Sequence, residues 1–249
     1  MVPELAVPDP CPPAETFRRY MVGTARIAER DGVPVGIAYY QVLDRAGYVR
    51  NLITDPDHRR TGAGRALMED VRTLLRAAGC AEWRLNVREA NIPAVRLYES
   101  LGFTPAYQSK VLVVPLRIAD DEHPPTMVVR PIEPDDDPIV ERELDLLPGL
   151  VASARGRPGR VLLLLEDGGE PVRSLAGAAV FDPAFPGAYP FRARSADAAL
   201  ALLAAIRPHA RPTDDSISLV IEDAEAIAAA LLARGATLRD EMIHMRGQL

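Results

Sequence analysis

Arg59, Arg60, Gly62, Gly64 and Arg65 fall together in the stretch Arg-Arg-Thr-Gly-Ala-Gly-Arg. These residue types in this order suit a bound diphosphate. Glycine removes the side chain that would keep an anion from the backbone. The start of a helix supplies unpaired N–H groups and the positive end of a dipole. The arginines add charge. The Gly-Lys-Ser/Thr ending of a nucleotide P-loop is absent, and so is Gly-x-Gly-x-x-Gly. Taken alone, the stretch also fits a strand-to-helix turn tightened by glycine.

The flanking residues say what positions it. Asn51-Leu52-Ile53-Thr54 is apolar and β-branched, the end of a strand spanning 47–54, and Asp55-Pro56-Asp57 breaks it. Leu67, Val71, Leu74, Leu75 and Ala78 then form a helical apolar stripe closed by Gly79. Upstream, residues 24–30 and 33–43 read as strands joined at Asp31-Gly32, a hairpin signal. Downstream, 82–87 reads as a strand parallel to the one ending at Thr54, because a helix lies between them. Asn91 can cap the next helix, Pro93 suits its first turn and Gly102 ends it. Ala94, Leu97, Tyr98 and Leu101 share a side, where a tyrosine is ordinarily a half-buried core aromatic. Residues 14–21 suit a short helix, the proline-rich 1–13 an extended arm, and 106–116 the strands of a closing antiparallel hairpin.

Composition narrows the classes. With 48% hydrophobic and 26% charged residues the chain reads as a soluble globular protein of one large or two small domains. No apolar run approaches ~18 residues, so no membrane span is expected. The first residues have neither a basic start nor an apolar core, so no signal peptide is expected. Cys11 and Cys80 have no metal or redox spacing. A reducing bacterial cytoplasm is the expectation, with Cys80 a buried small apolar residue. Only Lys110 among the 29 basic residues is lysine, which reads as codon bias of a GC-rich genome. Residues 1–117 carry 16 basic and 13 acidic residues, and 118–249 carry 13 and 22. The positive half holds the cradle, as an anionic ligand favours. The negative half argues against nucleic acid as a partner there.

Arg59-x-x-Gly62-x-Gly64 between strand and helix, then a strand, then Asn91-x-x-Ala94-x-x-x-Tyr98 and Leu101-Gly102-Phe103, resembles the signature of the GCN5-related N-acetyltransferases over residues 23–117. The resemblance implies an α/β (α+β) fold with a mixed central sheet flanked by helices, in which two parallel strands splay apart and admit the pantetheine arm of acetyl-CoA. It implies that Leu52, Ile53 and Thr54 line that arm, with the Ile53 backbone polarising the thioester carbonyl. Backbone amides across Arg60, Thr61, Gly62, Ala63, Gly64 and Arg65 would hold the pyrophosphate, with Arg59 and Arg60 adding charge. Asn91 and Ala94 would meet the pantetheine end. The Tyr98 hydroxyl would protonate the leaving thiolate. The amine attacks the thioester directly, so neither a nucleophilic residue nor a metal is expected. Glu89 is the nearest carboxylate for a general base, and a solvated loop charge is its ordinary role. His58 reads as a surface residue of the turn.

Residues 117–126 read as a linker with His123 solvated, giving a catalytic domain at 1–117, a linker at 118–126 and a second domain at 127–249. There, 127–132, 161–165 and 175–181 read as strands, with a helix from Asp135 to about Leu147. A shift of 133 residues lays Arg59–Val71 on Arg192–Ala204, 83–87 on 216–220 and 91–102 on 224–235 without a gap. The second half is thus expected to repeat the fold as a tandem copy. Ser195 replaces Gly62, Asp197 replaces Gly64, Ala224 replaces Asn91 and Leu231 replaces Tyr98. That copy is expected to be degenerate, with Arg192 and Arg194 solvated. The first copy has only ~20 residues before its first strand, so part of its acceptor wall is expected from the second domain or a partner subunit, as in a homodimer. A small-molecule amine is the expected acceptor. A protein N-acetyltransferase and a sensor that binds acyl-CoA without turnover are the other classes.

Overall fold

The computed structural model describes residues 14–120, 126–168 and 174–249. The expected arm at 1–13 with Cys11, His123 with most of the linker, and Gly169 of the expected turn lie outside them. The chain forms two compact units, one of residues 1–87, 91–105 and 245–249, the other of 88–90 and 106–244.

The first unit begins with α1 (Ala14–Tyr20), β1 (Ala25–Arg30), β2 (Val33–Leu43) and β3 (Ala46–Thr54). Asp31 and Gly32 turn the first hairpin at φ 53° and 78°, the left-handed pair that a tight two-residue turn requires. Next come α2 (Ala63–Ala77), β4 (Glu82–Arg88), α3 (Ile92–Ser100) and β5 (Thr104–Pro115). Its strand order runs β1-β2-β3-β4. β1, β2 and β3 are antiparallel neighbours, and β4 is parallel to β3. α2 buries Leu67, Met68, Val71 and Leu75, the stripe read from the sequence. It packs so close to β3 that a β-carbon at Gly47 would stand 2.3 Å from Leu75 Cδ1. Cys80 is buried, and burial raises its thiol pKa.

The second unit contains β6 (Met127–Pro131), α4 (Asp137–Glu143), α5 (Leu150–Arg155), β7 (Val161–Asp167), β8 (Ser174–Asp182) and β9 (Gly187–Ala193). It continues through α6 (Ala196–Ile206), β10 (Ser216–Glu222), α7 (Glu225–Ala233) and β11 (Thr237–Gln248). Its strand order is β5-β10-β9-β8-β7-β6. Only β9 and β10 pair in parallel among these neighbours. α6 is buried from Ala198 to Leu203, the fate of a helix apolar on all sides. The repeat is exact in places: α7 matches α3, and β11 matches β5, residue for residue at the offset of 133.

Four expectations change. The helix expected from Asp135 to about Leu147 is a 3₁₀ turn at Pro134–Asp136 followed by α4, which ends at Glu143. Residues 106–116 do not form a hairpin: Thr104–Pro115 is one strand, and Ser109–Pro115 pairs antiparallel with β10. Arg117–Asp120, expected in the linker, lies in a 3₁₀ turn spanning Leu116–Asp120. The compact units also divide elsewhere than at residue 117. β5 leaves the first unit at residue 106, and residues 245–249 join it, with Leu249 N–H donating to Ala81 O at 3.1 Å. No described helix is long and apolar enough to cross a membrane.

Candidate active site

The site of the first unit opens where two strands part. β3 and β4 pair from Ala46↔Glu82 to Val49↔Leu85, and the ladder stops there, although β3 runs on to Thr54 and β4 to Arg88. On its other side β3 stays with β2 as far as Gly36↔Thr54. The register jumps between Tyr39↔Asn51 and Tyr40↔Val49, leaving Arg50 as a bulge. A bulge bends its strand and re-aims a side chain, and this one sits one residue past the last β3–β4 pair. The Tyr48 hydroxyl donates to Asn86 Oδ1 beside the fork. Arg50 lies over the Tyr48 ring at 4.0 Å and donates from Nε to Gln41 Oε1 at 2.6 Å.

Along the free part of β3, Leu52 and Thr54 are half-buried and Ile53 is 47% exposed. A large aliphatic residue held outward at the fork is an apolar wall for an inserted chain.

The chain then turns into the cradle. Asp55 Oδ1 accepts from Asp57 N–H at 2.9 Å and lies 3.2 Å from His58 Nδ1. The His58 hydrogen bond, followed by that of the Asp57 backbone, lowers the Asp55 pKa. Thr61 Oγ1 donates to His58 O at 2.7 Å. Arg60 and Gly62 take left-handed φ values of 62° and 92°. Gly62 is the N-cap of α2 and has no side chain to cap with; the first helical hydrogen bond runs from Ala66 N–H to Gly62 O at 2.9 Å. The amides of Ala63, Gly64 and Arg65 are the usual orphan donors of a helix start. A β-carbon at Gly62 would meet nothing within 4 Å. One at Gly64 would make only ordinary contacts, at 3.5 Å from Leu97 Cδ2 and Thr54 Oγ1. The fold's own packing therefore does not require Gly64. Open space, orphan donors and the exposed Arg59 and Arg60 fit a diphosphate. Arg65 is committed elsewhere, donating to Ser100 Oγ at 2.7 Å with Glu69 at 3.9 Å.

Asn91 caps α3, its Oδ1 accepting from Ala94 N–H at 3.3 Å. Tyr98, on the buried side of that helix, meets Phe103 edge-on at 5.9 Å. Burial pushes its pKa up to about 12, so the phenol stays protonated through neutral pH. The first unit thus brings together Leu52, Ile53, Thr54, the stretch 59–65, Asn91, Ala94 and Tyr98. Glu89 is exposed and belongs to the second unit, where its N–H bonds Glu241 O at 3.0 Å. Sequence reasoning passed over Tyr48, Arg50 and Asn86. Polar side chains interrupting two apolar strands were their only signal.

Residues 3–103 match the model of the acetyltransferase (GNAT) family. That segment is a GNAT domain. The chain is 40% identical over 77 residues to the [ribosomal protein bS18]-alanine N-acetyltransferase of Escherichia coli (strain K12), covering 31% of this chain and 52% of that protein. It is 45% identical over 85 residues to the mycothiol acetyltransferase of Thermobispora bispora, covering 31% of this chain and 29% of that one. The chain thus spans about half, or less, of these curated relatives. The tandem GNAT protein from the clavulanic acid biosynthesis pathway shares its fold over 90% of this chain and 83% of its own, with a TM-score of 0.60 at 18% identity. The GNAT family transfers acetyl groups from acetyl-CoA, and the matched segment includes the diverging strands, the glycine cradle and Tyr98.

In the second unit the corresponding residues have other partners. Ser195 caps α6, with Ala198 N–H donating to its Oγ at 3.1 Å. Leu231 is buried. Arg194 is exposed as expected, but Arg192 is not solvated: it pairs with buried Glu222 and donates from Nε to Leu144 O at 3.3 Å.

Proposed function

We propose that the chain is an acetyl-CoA-dependent N-acetyltransferase that moves an acetyl group to a primary amine by direct attack, with the first unit active and the second structural. The observation that carries this reading is the β3–β4 ladder ending at Val49↔Leu85 beside a helix start that no side chain caps. Acetyl-CoA would supply the activated acetyl thioester. The amides of Ala63, Gly64 and Arg65 would bind its pyrophosphate, with charge from Arg59 and Arg60. Asn91, whose Oδ1 is taken by Ala94 N–H, keeps its amide N–H groups for the pantetheine end. The β3 edge left unpaired past Val49 would hold the thioester carbonyl. As the amine attacks, the C–N bond forms and the C–S bond breaks, Tyr98 gives its proton to the leaving sulfur, and the proton that the nitrogen sheds on becoming an amide passes through water to restore the phenol. An alkylamine of pKa ~10 must first lose its proton, and water is the carrier this site offers, since Glu89 is an exposed residue of the second unit.

A small amine is the leading acceptor. The match to a ribosomal-protein alanine acetyltransferase favours a second reading, a protein α-amine, whose pKa of ~8 eases deprotonation. Thiol release from acetyl-CoA, measured with small amines and with peptides bearing a free N-terminal alanine, separates the two. Tyr98→Phe should lower turnover about a hundredfold with little change in acetyl-CoA affinity. An unchanged rate would remove Tyr98 as the acid.

A further inference from the structure

The first unit is completed by residues far from it in sequence. Residues 245–249 belong to it, and Leu249 N–H donates to Ala81 O at 3.1 Å just before β4 begins. Thr104 Oγ1 donates to Arg246 O at 3.4 Å, and Met245 is buried. Gly247 faces the Trp83 indole. A β-carbon there would stand 2.5 Å from Trp83 Nε1, 3.0 Å from its Cδ1 and 3.4 Å from Gly102 O. The first of these is closer than real β-carbons come, and Trp83 has nowhere to go: it is 0% exposed, with Phe103 centred 4.4 Å from its ring. Phe103 in turn meets Tyr98 edge-on at 5.9 Å. Glycine 247, Trp83, Phe103 and Tyr98 thus form one packed series, and close-packed interiors transmit displacement.

We propose that Gly247 is a positioning residue for the reaction at Tyr98: the missing side chain in the C-terminal strand sets the Trp83 indole, which sets Phe103 and so the phenol. The inference rests on the reading of Tyr98 as the acid. A side chain at 247 pushes the indole toward Phe103 and tilts the phenol off the line to the leaving sulfur. The cradle residues 60–65 are not in the series, and Arg72, the α2 side chain over the indole at 5.8 Å, lies about two turns past them, so acetyl-CoA binding is spared.

The test is a double-mutant cycle on the full chain, reading kcat and calorimetric acetyl-CoA affinity. Gly247→Ala should lower kcat about tenfold, the scale on which small misplacements of a catalytic group act, and leave acetyl-CoA affinity unchanged. In the Tyr98→Phe background the same substitution should cost almost nothing, because the group it misplaces is already gone. Adding Trp83→Phe to Gly247→Ala removes the clashing indole edge and should restore part of the rate. If Gly247→Ala does not fold, the Gly247→Ala/Trp83→Phe pair is compared with and without Tyr98→Phe. An equal loss in both backgrounds, or no loss with Tyr98 present, overturns the inference. An unaltered rate in Tyr98→Phe alone would instead overturn the reading of Tyr98 as the acid.

Discussion

The two units are built on one plan and differ in what they leave unsatisfied. In the first, α2 begins at a glycine with no capping side chain. In the second, the equivalent Ser195 caps α6, and Asp197 occupies its first turn. In both units the parallel ladder stops early: in the first, β3 and β4 part after Val49↔Leu85, with no ion pair between them beyond that point among the described residues. In the second, β9 and β10 pair at Gly187↔Ser218 and Ala188↔Leu219, and the strands are then joined farther on by the Arg192–Glu222 ion pair. Ser109 Oγ lies 2.8 Å from His244 Nε2, which is 3.6 Å from Glu222 Oε1. Ser, His and Glu here are not a nucleophilic triad, because both neighbours address the same ring nitrogen, whereas a triad uses the two. With glycine at the cap in place of serine, the proposed ligand site forgoes a few tenths of a kcal/mol (~0.3) of capping.

The largest effect that would break this comparison is at Gly62. Gly62→Asp puts a carboxylate where the proposal has the pyrophosphate bind, on a backbone at φ 92° that disfavours side chains. Acetyl-CoA affinity should fall by at least about a hundredfold, since like charges in a binding site cost several kcal/mol. Retained binding by calorimetry would remove the cradle.

The second unit should show itself in pH dependence. Burial, with the nearby Arg192 charge, lowers the His244 pKa to about 4. Because the folded value lies below the unfolded one, the unfolded chain binds the proton first. The contribution is complete above pH ~6.5 and is lost as pH falls toward about 4, by about 3 kcal/mol. Chemical denaturation at stepped pH should show this loss in the wild type and much less of it in His244→Gln. Equal slopes would mean that His244 is not held neutral.

Smaller effects sharpen the contrast between the helix starts. Gly64→Ala should weaken acetyl-CoA binding about tenfold while leaving stability unchanged or raising it by up to ~1 kcal/mol, because alanine is the better helix residue. Ser195→Ala should do the reverse, costing about 1 kcal/mol of stability with no change in acetyl-CoA affinity. Thermal melts paired with calorimetry check both, and a stability loss in Gly64→Ala would assign that glycine to packing.

Much of the first unit was legible in the sequence because its signals are local. Asp31-Gly32 marks its own turn, Asn91 its own cap, and Leu67, Val71 and Leu75 their own buried stripe. The offset of 133 residues located α7 without any structure. Strand partnership is not local. Nothing in residues 106–116 says that they pair with β10, or that Gly247 must pass the Trp83 indole. α5 is six residues long, too short to show a period, and β9 begins at Gly187 and is interrupted by Pro190. Arg192 looked like a surface arginine because its partner Glu222 lies thirty residues away on another strand.

The central claim is that one unit of the two keeps a cofactor site. Titration of acetyl-CoA into the full chain by calorimetry tests it most directly. The account predicts one site per chain, lost in Gly62→Asp. A stoichiometry of two, or a site that survives Gly62→Asp, would contradict it.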